Sequence, residues 1–526
     1  MELVISGLRI PVENDGADEY LKAASRKLET GSQGISLIKI LAKSLDTRDR
    51  EQFYYVVSIA VKTPDNFENG RNFPVYADNI RAAARPAGCK ERPVIIGFGP
   101  AGMFAALELI ERGIKPVIFE RGKKIEDRHV DVQLFIEEGK LDEESNIQFG
   151  EGGAGSYSDG KLFSRANNSL YSDKVLRTFI KFGAPEEIGY CAKPHLGTDV
   201  LREIVVNIRN HVLLNGGEIH YGSKMTGIII SKGKALGVVI NGEREYRSSI
   251  IYLAVGHSAR DTFEMLNGAG IALEQKAISV GLRIEHPAGT VNLMRYGAKY
   301  KDFSVLGAAT YSFNHMNRIT KRSVNTFCMC PGGEIINASS SAGLLAVNGM
   351  SYSGRQSAFS NSAIVVTCRA GDYGAAHPLA GIEFQKNMER KAFAAGGSGW
   401  KAPAQNLMDF LEGRVSGRLN RNSYKMGAVA ADMSVIFPEF ITGELKGAFN
   451  EWKKDYPLFV SEQAILLGAE TRTSCPVRMI RDDNYVSVNV KNLCPLGEGA
   501  GYAGGITSSA ADAIKSVERS LPLIAV

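Results

Sequence analysis

Between residues 94 and 120 the chain runs from a short β-branched strand, Val94-Ile95-Ile96, into Gly97-Phe98-Gly99-Pro100-Ala101-Gly102, then a helical stretch and a second strand ending at Glu120. Few local patterns leave the backbone so little choice. Gly97 turns the chain sharply at the strand end, Gly99 lets backbone approach a bound phosphate, and Gly102 lets the helix pack on the strand. The helix N-terminus then faces the phosphates, and Glu120 stands where a carboxylate accepts hydrogen bonds from a ribose diol. The expected ligand is a dinucleotide. A plain strand-to-helix turn accounts for the glycines but not for an acid in register with them.

Two distant glycine clusters decide which dinucleotide. Residues 494–506, CPLGEGAGYAGGI, run into the small residues TSSAADA, a helix start, and residues 149–162 read FGEGGAGSYSDGKL. Backbone without side chains can lie flat along a long, rigid cofactor, and a helix N-terminus stabilises negative charge on a reduced flavin. The C-terminal cluster resembles the flavin segment of FAD-dependent oxidoreductases with the glutathione-reductase-like topology, which implies that Glu498 meets the ribityl chain. Taken with LAVGHSA at 253–259, SVGLRIEHP at 279–287, FCMCPGG at 327–333, NGMS at 348–351 and ETRT at 470–473, the order of motifs resembles a bacterial family of FAD-dependent oxidoreductases, often labelled uncharacterised FAD-dependent dehydrogenases. One departure is Ala513, where such flavoproteins often carry glycine.

The resemblance covers most of the chain after about residue 90. It implies an FAD site built from Gly97, Phe98, Gly99, Pro100, Ala101, Gly102, Glu120, Arg121 and Arg128; from Gly152, Gly153, Ala154, Ser158, Asp159, Lys161 and Leu162; from Met225, Ala254, Val255 and Gly256; and from Gly497, Glu498, Gly501, Gly504, Gly505 and Ile506. Lys161 and Arg128 are the cations expected at the pyrophosphate.

The fold class expected is α/β: a discontinuous Rossmann-like, glutathione-reductase-type FAD domain (89–275 and 466–526), an inserted α+β substrate domain (276–465) and a small N-terminal α+β domain (1–88). The N-terminal unit reads as strand Leu3 to Ile10, helix Ala17 to Leu28, and strands near Ile35 to Ala42 and Phe53 to Val61, a ferredoxin-like order. A linker follows over Ala82 to Arg92. Helix Thr198 to Leu214 and strands Glu218 to Ile230, Ala235 to Ile240 and Tyr246 to Val255 complete the first half of the FAD domain.

One dinucleotide fingerprint is visible, with no second βαβ unit and no C-x-x-x-x-C redox pair, so the pattern is not that of a disulfide reductase. NADH or NADPH stays open as a transient electron donor that needs no fold of its own. Cys328 and Cys330, spaced to leave one face of an extended strand, could exchange electrons with a flavin. Packing is the favoured role for them, because closing a disulfide between alternate strand residues needs a bent segment. His257 is expected near the cofactor as a tuning or hydrogen-bonded group, Arg283 and His286 as holders of an anionic substrate, and Arg472 as a cavity residue on the resemblance alone. No metal site is expected, since no second closely spaced Cys or His pair completes four ligands.

A chain of 526 residues, 44% hydrophobic and 23% charged, has the composition of a globular protein with several cores. Its seven scattered cysteines fit a reducing compartment, its apolar runs are too short to span a bilayer, and its first residues carry no signal core, so a cytoplasmic protein is expected. A formal net charge of +5 with interspersed signs lacks the basic stripe of a nucleic-acid binder. The function expected is electron or hydride transfer between FAD and a small-molecule substrate. The alternative is a non-catalytic or redox-sensing flavoprotein that binds a protein or RNA partner.

Overall fold

The computed structural model describes residues 1–31, 34–77, 91–162 and 170–523. At its centre lies a five-stranded parallel sheet in the order Leu493–Pro495, Ile251–Leu253, Val94–Ile96, Val117–Phe119, Glu218–His220. The four strands from Leu493–Pro495 to Val117–Phe119 are short and buried throughout, the signature of a sheet covered on both faces. One face packs against helices Pro100–Glu111, Gly197–Leu214 and Ile506–Ser520 through Phe104, Ile208 and Ile514. The other is covered by the antiparallel meander Met225–Ser231, Lys234–Ile240, Arg244–Arg247, whose Ala235 and Val238 meet Phe119 and Leu253.

Two expected strands divide. Glu218 to Ile230 becomes Glu218–His220 in the parallel sheet and Met225–Ser231 in the meander, and Tyr246 to Val255 breaks into Arg244–Arg247 and Ile251–Leu253. At the second corner the Ser248 hydroxyl donates to the Ile250 carbonyl and accepts from Val94 N, so a side chain takes over the bonds that a ladder would make.

The segment between the two halves of the parallel sheet builds a seven-stranded sheet in the order Asn314–Met316, Ser323–Cys330, Phe359–Cys368, Ile278–Pro287, Ile465–Glu470, Ala402–Asn406, Ala428–Ala430. Ile465–Glu470, which a boundary at residue 466 would hand to the nucleotide domain, pairs with Ile278–Pro287 and Ala402–Asn406 and belongs to this sheet. Val280, Leu282 and Ile284 point into its core with Phe449 and Trp452 of helix Glu439–Asp455.

The N-terminal elements fall within two residues of the sequence alternation for the helix Ala17–Leu28 and strands Glu2–Pro11 and Tyr54–Lys62, while the middle strand, Ser36–Asp46, runs longer. The described residues up to Ala77 run strand, helix, strand, strand, as a ferredoxin-like unit begins, with the strands antiparallel in the order first, third, second and Val75 bridged to Leu3 on the outer edge of the first; no second α-helix lies among these described residues. The unit is docked at two places. Phe53 stacks on Tyr300 with ring centroids 4.3 Å apart inside the core of the insert, and the Lys43 backbone exchanges hydrogen bonds with Tyr190 and Ala192 at 2.8 and 2.9 Å. Of the expected linker, residues 82–90 lie outside the described residues. Among the described residues no helix is long and apolar enough to cross a membrane.

Candidate functional site

Because the five central strands run the same way, the loops past their C-terminal ends gather on one side of the sheet, the usual place for a ligand in an open α/β sheet. Gly97 and Gly99, Glu120 and Arg121, Ser223 and Lys224, the run Ala254 to Ala259, and Leu496 with Glu498 line a single cavity of about 360 Å³. Its remaining walls come from the glycine-rich loop around residues 148–161 and from the inserted sheet, through Phe327, Cys328, Cys330, Asn348, Gly349, Glu470, Arg472 and Thr473.

The turn works as its glycines require. Gly97 sits at φ +95°, and a Cβ there would stand 2.4 Å from the Ala254 carbonyl oxygen; at Gly102 it would stand 2.0 Å from the Gly97 carbonyl oxygen. Helix Pro100–Glu111 then starts with Gly99 at the N-cap, which supplies no capping side chain, and with proline at its first position. Its first N–H groups are left for whatever occupies the cavity. Helix Ile506–Ser520 starts in the same uncapped way at Gly505. Two helix N-termini, each suited to negative charge, therefore open into one cavity.

The cavity fits FAD by a further sign. Gly504 lines it at a φ outside the left-handed region, and no atom lies within 4 Å of where its Cβ would be. Neither the backbone nor any protein neighbour requires glycine at that position. An extended cofactor lying along this wall would find bare main chain there.

Glu120 lines the cavity, but its carboxylate is largely engaged: it accepts N–H bonds from Phe98 at 2.8 Å, Gly122 at 2.9 Å and Gly150 at 3.0 Å. It is the knot that joins the first glycine turn, its own loop and the second glycine cluster. Arg128 does not reach the cavity as expected. It is fully buried and gives its guanidinium to the carbonyls of Asn146, Ile147, Glu151 and Gly153 at 2.7 to 2.9 Å, so it moulds the glycine-rich loop from behind. Glu151, which no motif singled out, holds that loop from the other side by accepting from Ile125 N, Arg209 and Tyr221.

Pro100, Ala101, Arg121, Gly153, Ala154, Ser158, Asp159, Lys161, Met225, Val255, Gly256, Gly505 and Ile506 join the cavity wall. Arg121 stands over the Phe149 ring at 3.9 Å and pairs with Glu144 and Asp261, while Lys161 pairs with Asp159 at 2.9 Å. Phe98, Gly102, Gly152, Leu162, Gly497 and Gly501 lie behind the wall. Phe98 accepts from Gly152 N, Leu162 accepts from the Thr507 hydroxyl, Gly497 N donates to Asp512, and a Cβ at Gly501 would press on the Val477 carbonyl. Burial pushes the Glu498 carboxyl up to about 7, with Lys276 the cation that opposes the shift.

At the wall formed by the insert, the expected anion-binding role of Arg283 is replaced by a structural one. Its side chain is wholly buried, and every donor is taken: Nε by Asn361, Nη1 by Glu470 at 2.6 and 2.8 Å, Nη2 by the Cys328 carbonyl at 2.6 Å and the Cys330 sulfur at 3.5 Å. His286 is likewise buried and bonded to the Phe459 carbonyl, away from the cavity. His257 does line the cavity, with Nδ1 2.8 Å from the Ser258 hydroxyl. Removal from water, with Arg472 and Arg260 nearby, pulls its pKa down to about 3, so the ring is neutral at physiological pH. Those two arginines converge on Glu389, which is buried on helix Ala380–Ala395 and accepts from both at 2.7 to 3.1 Å. Arg472 thus reaches the cavity as expected, held by an acid that sequence reasoning missed.

Against known proteins, residues 277–473 match the family described as FAD-dependent protein, C-terminal domain-like. A Clostridium beijerinckii protein described as uncharacterized is 40% identical over 527 residues, covering 98% of each chain. Similar solved structures include CtdE in complex with FAD, 12% identical over 81% of this chain and 83% of that one with a TM-score of 0.31. Another is the FAD-complexed glycerol-3-phosphate dehydrogenase from Bacillus halodurans, 11% identical over 82% and 64% with a TM-score of 0.35. The insert found by the family description, the full-length relative and a cavity that fits FAD converge: the chain belongs to a family of FAD-dependent proteins.

Proposed function

We propose that this protein is an FAD-dependent oxidoreductase whose small-molecule substrate enters between the nucleotide domain and the inserted sheet. The observation that carries the reading is the composition of the cavity, in which two uncapped helix starts and a neutral histidine share one space with residues of a separate sheet. When bound, FAD would supply the electron transfer. The chain's own residues would do the rest: Gly99 and the helix start at Pro100 would hold the phosphates, Glu120 would fix the loops around the ribose, and Glu498 would stand by the ribityl chain. The insert would close the cavity to water, and the neutral His257 ring would present a polar edge to the substrate. NADH or NADPH would serve as a transient donor that binds without a dedicated domain.

Purified protein is expected to be yellow and to release FAD on denaturation; a protein that neither contains nor takes up FAD would sink the proposal. Anaerobic mixing with NADH, NADPH and a metabolite panel then identifies the reductant by bleaching of the flavin band. Bleaching by none of them, with a tightly bound protein partner, would favour a redox-sensing role.

A separate expectation concerns Gly504. Gly504→Ala should leave chemical denaturation of the apoprotein unchanged within about 0.5 kcal/mol, since the new methyl touches no protein atom. Its FAD affinity should fall at least about tenfold, read by fluorescence titration, a loss of roughly 1.4 kcal/mol. Unaltered affinity would place the cofactor elsewhere along the cavity.

A further inference from the structure

The strand Ser323–Cys330 does not stay regular to its end. Phe327 pairs with Ala363 and Cys330 with Asn361, so three steps on this strand stand across two on its neighbour, a β-bulge. Cys328, in the bulge, has φ +43°, and among the described residues it is the one non-glycine residue of positive φ inside a strand. Such a backbone costs on the order of 1 to 3 kcal/mol and persists where the surroundings impose it. Here they do. The Arg283 guanidinium, pinned by Glu470, holds the Cys328 carbonyl at 2.6 Å.

The bulge leaves two cysteines on one cavity wall. Cys328 and Cys330 both line the cavity while Met329 between them is buried in the core of the insert. Cys328 is exposed, and the buried Cys330 turns its thiol back to within 3.3 Å of the Cys328 carbonyl oxygen. A plain packing role predicts both side chains buried on a regular strand; Cys330 is buried, but Cys328 is exposed at a bulge. Burial pushes both thiols up, Cys328 to about 12, and the nearby cations Lys161 and Arg283 pull against it without reversing it.

We propose that Cys328 and Cys330 form a redox-active dithiol that exchanges an electron pair with the flavin of this cavity, an inference that rests on the FAD reading above. In the oxidative direction two S–H bonds break and one S–S bond forms. The two electrons and two protons released reduce bound oxidised FAD to its dihydro form, and the reverse reaction reopens the disulfide. The pair then gives the site a second two-electron store beside the cofactor, suited to substrates that are themselves thiols or disulfides.

The test has two independent arms. Apoprotein equilibrated with oxidised or reduced glutathione is alkylated and mapped by mass spectrometry. The expected result is loss of two alkylatable thiols at Cys328 and Cys330 under oxidised glutathione, restored under reduced glutathione, with the buried Cys368, Cys475 and Cys494 unchanged. Full alkylation of both under oxidised glutathione overturns the proposal. In the second arm, FAD-loaded protein is titrated anaerobically with dithionite. Wild type is expected to take up four electrons per FAD and Cys328→Ser two; two electrons in wild type overturns the exchange with flavin. Should Cys328→Ser fail to fold, the wild-type count and the alkylation pattern still decide. A protein that binds no FAD would defeat the cofactor reading while the glutathione arm continues to report on the pair.

Discussion

Glu120→Ala is expected to abolish FAD retention and to destabilise the apoprotein itself by on the order of 4 kcal/mol. A ribose ligand alone predicts only the first effect. In this fold the carboxylate takes the N–H groups of Phe98, Gly122 and Gly150, all buried, and alanine would leave three donors without an acceptor. Each such donor costs about 1 to 3 kcal/mol, which partial entry of water reduces in sum. Glu120→Gln keeps one acceptor oxygen and should fall between the two. Urea denaturation of the apoprotein and FAD titration of the same samples separate the effects. Loss of FAD with unaltered apoprotein stability would show that the loops hold without the acid.

The second large effect is expected at Glu389. Burial alone would raise this carboxyl, but Arg260 and Arg472 more than reverse that and hold it well below the ordinary carboxylate range. A carboxyl depressed in the folded state contributes stability that is whole above its unfolded pKa, about 4.3, and is lost as the pH falls through the range between the two values. Glu389→Gln leaves two guanidinium groups buried without a counter-charge and should cost about 3 to 5 kcal/mol at neutral pH. It should also flatten the fall in stability that wild type shows on acidification below about pH 4. Denaturation midpoints across that range check both. A variant as stable as wild type at neutral pH, with the same acid slope, would show that the three charges do not act as a unit.

What the sequence disclosed is what is local. The glycine turn at Gly97 to Gly102, the helices at Ala17 to Leu28 and Thr198 to Leu214 and the N-terminal strands follow from period and turn chemistry within a few residues, and the cavity walls at Ala254 to Gly256 and Gly504 to Ile506 are glycine-rich segments of the same kind. Arg283 and His286 were misread because a charge in an apolar strand looks the same whether it meets a substrate or a buried acid, and the partner of Arg283, Glu470, lies far along the chain. Arg128, Glu151 and Glu389 escaped notice in their actual roles for the same reason: their partners are backbone carbonyls and arginines brought together only by folding. The strand Glu218 to Ile230 was drawn too long because alternation cannot register the corner at which the chain leaves one sheet for another. Bulge and strain at Cys328 have no local signature, and they are what turn a strand end toward the cavity.

The parallel sheet carries an implication for synthesis. Ile251–Leu253 is flanked on one side by Val94–Ile96 and on the other by Leu493–Pro495, so that edge stays bare while the whole inserted sheet is being translated. The second helix start of the cavity, at Gly505, emerges later still. A growing chain can thus present the phosphate turn long before it can enclose the ring, and firm capture of the cofactor belongs to the finished polypeptide. FAD supplied in the growth medium should accordingly raise the yield of folded protein by trapping completed chains, with little influence on the nascent ones.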